Sequence, residues 1–250
     1  MENQNQIGGV YLSVIVPAYN EEKVLAEKML LFDKFLSEKN YNYEIILVDD
    51  GSKDKTKEIA KNLEGIIKNF RLSGYKENHG KGFAVKTGML EAKGRYRLFA
   101  DADNSTPIQE IDKFMPFFGE GFDIVVGSRV AGGRDENVKI EQPLYRRMLA
   151  KSANLIIRFL AVHGISDTQC GFKCFSAESA EIIFRKSRIN RWGFDIEALA
   201  IGQKKGYKIK EVPVSWYNRA DSRVRPIKGA ITTLGELLKI KWNLLTGKYN

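Results

Sequence analysis

The sequence predicts an α/β fold: a mostly parallel, Rossmann-like sheet flanked by helices, with an amphipathic helix at the C-terminal end. Two observations carry this. Along the first half, short apolar runs alternate with segments of helical periodicity, and strands separated by one helix each imply a parallel sheet covered on both faces. Three of the runs also end in polar loops, Pro17-Ala18-Tyr19-Asn20-Glu21-Glu22, Val48-Asp49-Asp50-Gly51-Ser52 and Asp101-Ala102-Asp103. In sheets of this kind ligands bind beyond the carboxyl ends of the strands, where such loops gather.

Taken in order, residues 12–16 (Leu-Ser-Val-Ile-Val) read as a buried strand. Leu25, Met29, Phe32 and Leu36 then repeat at helical spacing. A strand over 43–48, a helix over about 54–63 and a short strand around 65–70 follow. A helix over 83–92, a strand over 96–100, a helix over 108–118 and a strand over 122–126 complete the regular half. Beyond it, residues 144–162 read as a long basic helix bearing Arg146, Arg147, Lys151 and Arg158. A loop over 167–173 leads into a helix over 177–186. Trp192-Gly193-Phe194-Asp195-Ile196-Glu197 opens another helix, and a strand spans 209–214. In the tail over 227–246, Ile231, Leu234, Leu238, Trp242 and Leu245 share one helical face, with Lys228, Lys239, Lys241 and Lys248 around it.

Composition narrows the class. The 250 residues carry 40 Lys+Arg against 31 Asp+Glu, a net charge of +9 that suits phosphorylated substrates or an anionic membrane surface. No RNA- or DNA-binding signature accompanies the charge, so no nucleic-acid partner is expected. The polar N-terminus has neither the basic segment nor the apolar run of a signal peptide, and no stretch approaches the ~20 apolar residues of a membrane span. Cys170 and Cys174 lack His or Cys partners at zinc spacing. They read as buried free thiols, consistent with a cytoplasmic setting.

Each loop has a chemistry and a plainer alternative. Tyr19 can stack on a base, and Asn20 or Glu21 can hydrogen-bond a base edge or ribose; equally, Asn20 can cap the following helix. Asp49 and Asp50 repel each other unless solvated or bound, which favours one acid on the base or ribose, while Ser52 or Asp54 can cap the next helix. Asn78-His79-Gly80-Lys81-Gly82 lets the backbone approach a ligand and brings a cation at Lys81, without being a P-loop. In the Asp101-Ala102-Asp103 triplet, Asp103 suits a metal and Asp101 the ribose or a metal-bound water. Mg²⁺ or Mn²⁺ keeps water ligands and takes one or two carboxylates plus phosphate oxygens. Three such loops on one edge suggest a single nucleotide-sugar site. Arg129, in Gly127-Ser128-Arg129, and the pair Arg146 and Arg147 can receive phosphate.

The ordered set V-I-V-P-A-Y-N-E, V-D-D-G-S-x-D-x-T, N-x-G-K-G, D-A-D, G-S-R and D-T-Q-C-G-F-K resembles the family 2 glycosyltransferases, and within them the dolichyl- and polyprenyl-phosphate glucose and mannose synthases. The match runs from Leu12 to Tyr217. The triplet also resembles the nucleophile loop of haloacid-dehalogenase phosphatases, but that loop follows the first strand of its core rather than roughly the fourth.

The resemblance implies a GT-A fold over 10–218, a divalent metal, and inversion at the anomeric carbon. Where many members of the family carry C-terminal transmembrane helices, this sequence has a basic amphipathic tail over 219–250, whose apolar face either lies at a membrane interface or packs on the catalytic domain. The resemblance also implies that Pro17, Tyr19, Glu21 and Asp49 hold the nucleotide, with Asp50, Lys81 and Ala102 in the same donor site. Asp101 and Asp103 would serve ribose, diphosphate and metal, and Gln109 and Arg129 the diphosphate or the acceptor phosphate. Arg146, Arg147 and Ser152 match the region that receives the lipid phosphate. The form of the loop around Gln169 favours UDP-glucose over GDP-mannose.

A phosphate acceptor is largely dianionic at neutral pH and needs no strong base, whereas a sugar hydroxyl does. For a hydroxyl acceptor Asp167 is the candidate base, with Asp195 behind it; the alternative for both is a purely structural role. The expectation is therefore a metal-dependent hexosyltransferase, peripheral on the cytoplasmic membrane face, with a non-catalytic nucleotide-sugar or membrane-binding module as the alternative.

Overall fold

The first strand owes its place to an almost wholly apolar run, with its one hydroxyl, Ser13, donating to Glu44 of the neighbouring strand. All seven residues of β1 (Leu12–Ala18) and all eight of β2 (Tyr43–Asp50) are buried, as expected where helices cover both faces of a sheet. The computed structural model describes residues 9–129, 156–157, 160–217 and 226–250, with the backbone alone over 226–231. Its seven-stranded sheet has the order β3-β2-β1-β4-β6-β5-β7, completed by β3 (Phe70–Tyr75), β4 (Tyr96–Ala100), β5 (Ile124–Ser128), β6 (Phe172–Ser176) and β7 (Ile209–Pro213). Every pairing is parallel except those of β6, which runs antiparallel between β4 and β5.

Alternate residues feed two cores. Val14 and Val16 face a layer holding Leu25, Met29, Phe32 and Leu36 of α1 (Leu25–Ser37) and Ala60 and Leu63 of α2 (Thr56–Ile66). Ile15, Ile46 and Phe99 face a second layer. It is built from α3 (Lys81–Glu91), α5 (Ala177–Lys186) and α6 (Phe194–Lys204), with Val85, Met89, Ile183, Ile196 and Leu199 buried in it. Gly88 of α3 lets the helix lie close: a Cβ there would stand 2.5 Å from Ile15 Cγ2.

Several expectations shift. The apolar residues at 65–67 end α2 and the turn after it, and β3 starts at Phe70. This edge strand is only half-buried, so it lacks the apolar run that marks an inner strand. The helix expected over 108–118 divides into a 3₁₀ turn (Ile108–Lys113) and α4 (Met115–Gly119), because Pro116 has no N–H for a continuous ladder. Residues 172–176, read as the end of a loop and a helix approach, form β6. The C-terminal helix α7 (Pro226–Leu245) buries Leu237 and Ile240 against the second core while Leu234, Leu238, Trp242 and Leu245 stay exposed. Among the described residues no helix is long and apolar enough to cross a membrane.

Candidate active site

Parallel strands release their loops at one edge, and here those loops bond to one another. Asn20, in left-handed backbone at φ 56°, donates its N–H to Ser52 Oγ at 2.9 Å and accepts from Lys53 N at 2.8 Å. Glu21 N donates to Thr56 Oγ1 at 2.7 Å. This corrects the expected cap. Helix α1 begins only at Leu25, and the Asn20 side chain is spent on the loop after β2. Of the two caps suggested for α2, Asp54 accepts from Thr56 N at 3.0 Å and Ser52 serves Asn20 instead. Pro17 is buried within β1 opposite Val48, two residues past Ile15, where pairing with β4 ends. A proline has no N–H to extend that ladder. Tyr19 projects outward, 38% exposed.

The two acids ending β2 divide their work. Asp49 Oδ1 accepts from Ser52 N at 3.1 Å and closes its own turn. Asp50 accepts from Asn78 Nδ2 at 2.8 Å, His79 N at 2.8 Å and Gly80 N at 3.0 Å. Both are buried. The Asp50 carboxylate thus builds the glycine-rich loop, with its oxygens committed to that loop.

That loop delivers Lys81 to Asp101. Lys81 Nζ stands 2.7 Å from Asp101 Oδ1, with the rings of Phe99 and Trp192 5.2 and 5.4 Å away. Burial disfavours the ammonium, but the carboxylates of Asp101, Asp195 and Asp103 outweigh it and hold the Lys81 pKa above its usual value. Ala102 is buried between the two acids. Asp103 Oδ1 accepts from Ser105 N at 2.9 Å, and Asn104, at φ 55°, accepts from Ile108 N at 3.0 Å to start the 3₁₀ turn that exposes Gln109. Gly171, entering β6, is the neighbour Asp101 requires: a Cβ there would lie 1.9 Å from Asp101 Oδ2.

Arg129 leaves β5 toward the same edge and is clasped by Asp167. Nε donates to Oδ2 at 2.7 Å, Nη2 to Oδ1 at 2.8 Å, and the Arg129 N–H to Oδ2 at 3.0 Å. The Trp216 ring lies 5.6 Å from the guanidinium. Burial raises the Asp167 pKa, but Arg129 more than offsets it and the carboxyl sits below the usual range. Of the two readings of Asp167, base or structural, the clasp fits the second, because a carboxylate held bidentate by an arginine and below its usual pKa is a good arginine holder and a poor proton acceptor. Asp195, the second candidate, is paired with buried Lys173 at 2.5 Å. Arg146, Arg147 and Ser152 lie outside the described residues.

Residue-type reasoning missed Lys173, Trp192, Trp216 and Glu211. Glu211 Oε1 accepts from Asp167 N at 2.8 Å and braces the Asp167 turn. Lys173 stood within the last motif, yet nothing in its spacing marks a lysine 1% exposed. Cys170 and Cys174 are buried free thiols, as expected, and burial pushes Cys170 up to about 11.

Fold and loops together define the GT-A class of glycosyltransferases. A family model described as Glycosyl transferase family 2 matches residues 13–180, and the chain belongs to that family. It is 38% identical to a dolichyl-phosphate beta-glucosyltransferase of Dictyostelium discoideum, over 99% of this chain and 79% of that protein. The same-named protein of Homo sapiens is 34% identical, over 95% and 77%. Among solved structures, glucosyl-3-phosphoglycerate synthase from Mycobacterium tuberculosis with Mn²⁺, uridine diphosphate and glucosyl-3-phosphoglycerate shares the fold at a TM-score of 0.64. It is 21% identical and covers 92% of this chain and 80% of that one.

Proposed function

We propose that this glycosyltransferase moves glucose from UDP-glucose to a dolichyl or other polyprenyl phosphate, with inversion at the anomeric carbon. The observation that carries the reading is the gathering of Asp101, Asp103, Lys81 and a carboxylate-held Arg129 at one sheet edge. The names of the relatives support the donor sugar and the lipid acceptor.

Among the described residues no three His, Cys, Asp or Glu side chains cluster as a metal cage. Two neighbouring carboxylates at an open edge instead fit a hard cation that keeps its waters and binds substrate phosphate. Asp103 would hold Mg²⁺ or Mn²⁺, with Asp101 toward the ribose side. The cation supplies charge neutralisation of the leaving diphosphate.

The chain's own residues do the rest. Pro17, Tyr19, Glu21 and Asp49 line the nucleotide side, and Asp50 acts through the loop it builds. Lys81 offers the diphosphate a positive charge. Arg129 keeps its fork oriented by Asp167 and takes the acceptor phosphate, with Arg146, Arg147 and Ser152 as further donors. Gln109, exposed on the 3₁₀ turn that follows the acid loop, would reach toward the diphosphate. The acceptor dianion then attacks along a line fixed by these contacts. The commitment of Asp167 and Asp195 to cations favours a phosphate acceptor over a sugar hydroxyl, which would need a base.

The outer face of α7, with Leu234, Leu238, Trp242 and Leu245 exposed, Lys239 and Lys241 on the same helix and Lys248 just beyond it, lies on an anionic membrane interface in this reading. The free thiols support its cytoplasmic side. Incubating purified protein with polyprenyl phosphate, Mg²⁺ or Mn²⁺ and a panel of UDP- and GDP-sugars tests the assignment. A glucolipid from UDP-glucose is expected; product from GDP-mannose alone would overturn the donor.

A further inference from the structure

The segment over 188–193 lies between the C-terminal helix and the lysine of the donor site, and it is held at both ends. At its start, Glu197 accepts from Arg188 N at 2.9 Å and Ile189 N at 2.9 Å, and also from the hydroxyl of buried Tyr249 at 2.5 Å. Tyr249 in turn accepts from Asn243 of α7 at 3.0 Å. At its end, Gly193 N donates to Glu236 of α7 at 2.7 Å. The contact is tight: a Cβ on Gly193 would stand 3.0 Å from Glu236 Cβ.

On its other side the segment presses against the start of α3. Phe83 N donates to Asn190 O at 3.1 Å. A Cβ at Gly80 would meet Asn190 O at 2.5 Å, and one at Gly82 would meet Phe194 Cβ at 2.6 Å and Ile189 O at 2.7 Å. Lys81 sits between those two glycines with its ammonium near the Trp192 ring. A shift of Gly193 thus displaces the surface against which Lys81 is set, and packed elements transmit such shifts rather than absorb them.

We infer that Glu236 is a positioning residue for Lys81, acting through Gly193 and Trp192, so that the C-terminal helix belongs to the catalytic unit. This rests on the reading of Lys81 as a donor-phosphate residue. The coupling is distinct from any membrane contact, which would use the opposite face of α7.

The test is a double-mutant cycle on UDP affinity, measured calorimetrically with Mn²⁺ on the full chain. Lys81→Met should weaken UDP roughly tenfold, the loss of one charge-assisted contact. Glu236→Ala should weaken it about three- to fivefold alone and by less than about 1.5-fold in the Lys81→Met background. Glu236→Gln, which keeps an acceptor for Gly193 N–H, should restore affinity. If Glu236→Ala folds poorly, Gly193→Ala strains the same link from the other side and should show the same non-additivity.

Additive losses, or unchanged affinity in Glu236→Ala while Lys81→Met is impaired, overturn the coupling alone. Unchanged affinity in Lys81→Met removes that lysine from the donor site and the coupling with it.

Discussion

Asp101 and Gly171 share a space that only one side chain can fill. A methyl group at 171 would overlap the carboxylate, so Gly171→Ala must move Asp101, its partner Lys81, or the start of β6. Misplacing reacting groups by an ångström can cost two orders of magnitude. Glucosyl transfer by Gly171→Ala should therefore fall on the order of a hundredfold, while its thermal unfolding stays cooperative; wild-type turnover would show that Asp101 need not stay where it is. Asp167 makes a separate prediction, in pH. Its folded pKa lies below the ordinary carboxylate value, so it binds fewer protons in the folded than in the unfolded state as pH falls through that region. Its contribution is fully present above the unfolded pKa and is lost as pH drops through the folded one. Denaturant midpoints for wild type and Asp167→Asn should differ constantly above about pH 5, begin to narrow near the unfolded value of about 3.9, and converge only once the pH has passed below the folded pKa. A gap that widens in acid would contradict the Arg129 clasp.

At the scale of elements, the helix α7 is seated through its inner face and through Tyr249, whose hydroxyl reaches Glu197 in the core. Tyr249→Phe keeps the ring but leaves that buried carboxylate short of a donor. The expected cost is about 1–3 kcal/mol of unfolding free energy, read from chemical denaturation. No measurable change would mean that the C-terminal end is not anchored there. Elements also show where a sequence speaks clearly. The inner strands β1, β2 and β4 announce themselves because each carries an apolar run, broken only near its start by Ser13, Glu44 or Arg97, that leads into a polar loop. By contrast β3 is half-buried at an edge, and β6 is five residues long with a buried lysine in it, so neither carries the signal of its position. The antiparallel insertion of β6 is a long-range pairing that local periodicity does not encode.

For the whole molecule, the fold class and the edge that carries the loops could be read from alternation and motif order. The partnerships within the site could not. That Asp50 builds the Asn78 loop, that Asp167 holds Arg129 rather than a proton, and that Lys173 pairs with Asp195 depend on contacts between distant segments. Residue types gave the candidates, and geometry gave their partners. The net charge of +9 has a whole-molecule consequence as well. With the apolar stripe of α7 it predicts co-sedimentation with anionic vesicles that weakens as salt rises. Equal binding to neutral vesicles, or binding unchanged by Trp242→Ala and Leu238→Ala together, would place the membrane contact elsewhere. The most direct test of the account is glucosyl transfer from UDP-glucose to dolichyl phosphate, followed for wild type and Asp103→Ala in parallel. The account predicts a lipid-linked glucose of inverted configuration from the wild type and a rate lower by roughly a hundredfold or more in the variant. No lipid-linked sugar from the wild type despite nucleotide binding, or an unchanged rate in the variant, would contradict it.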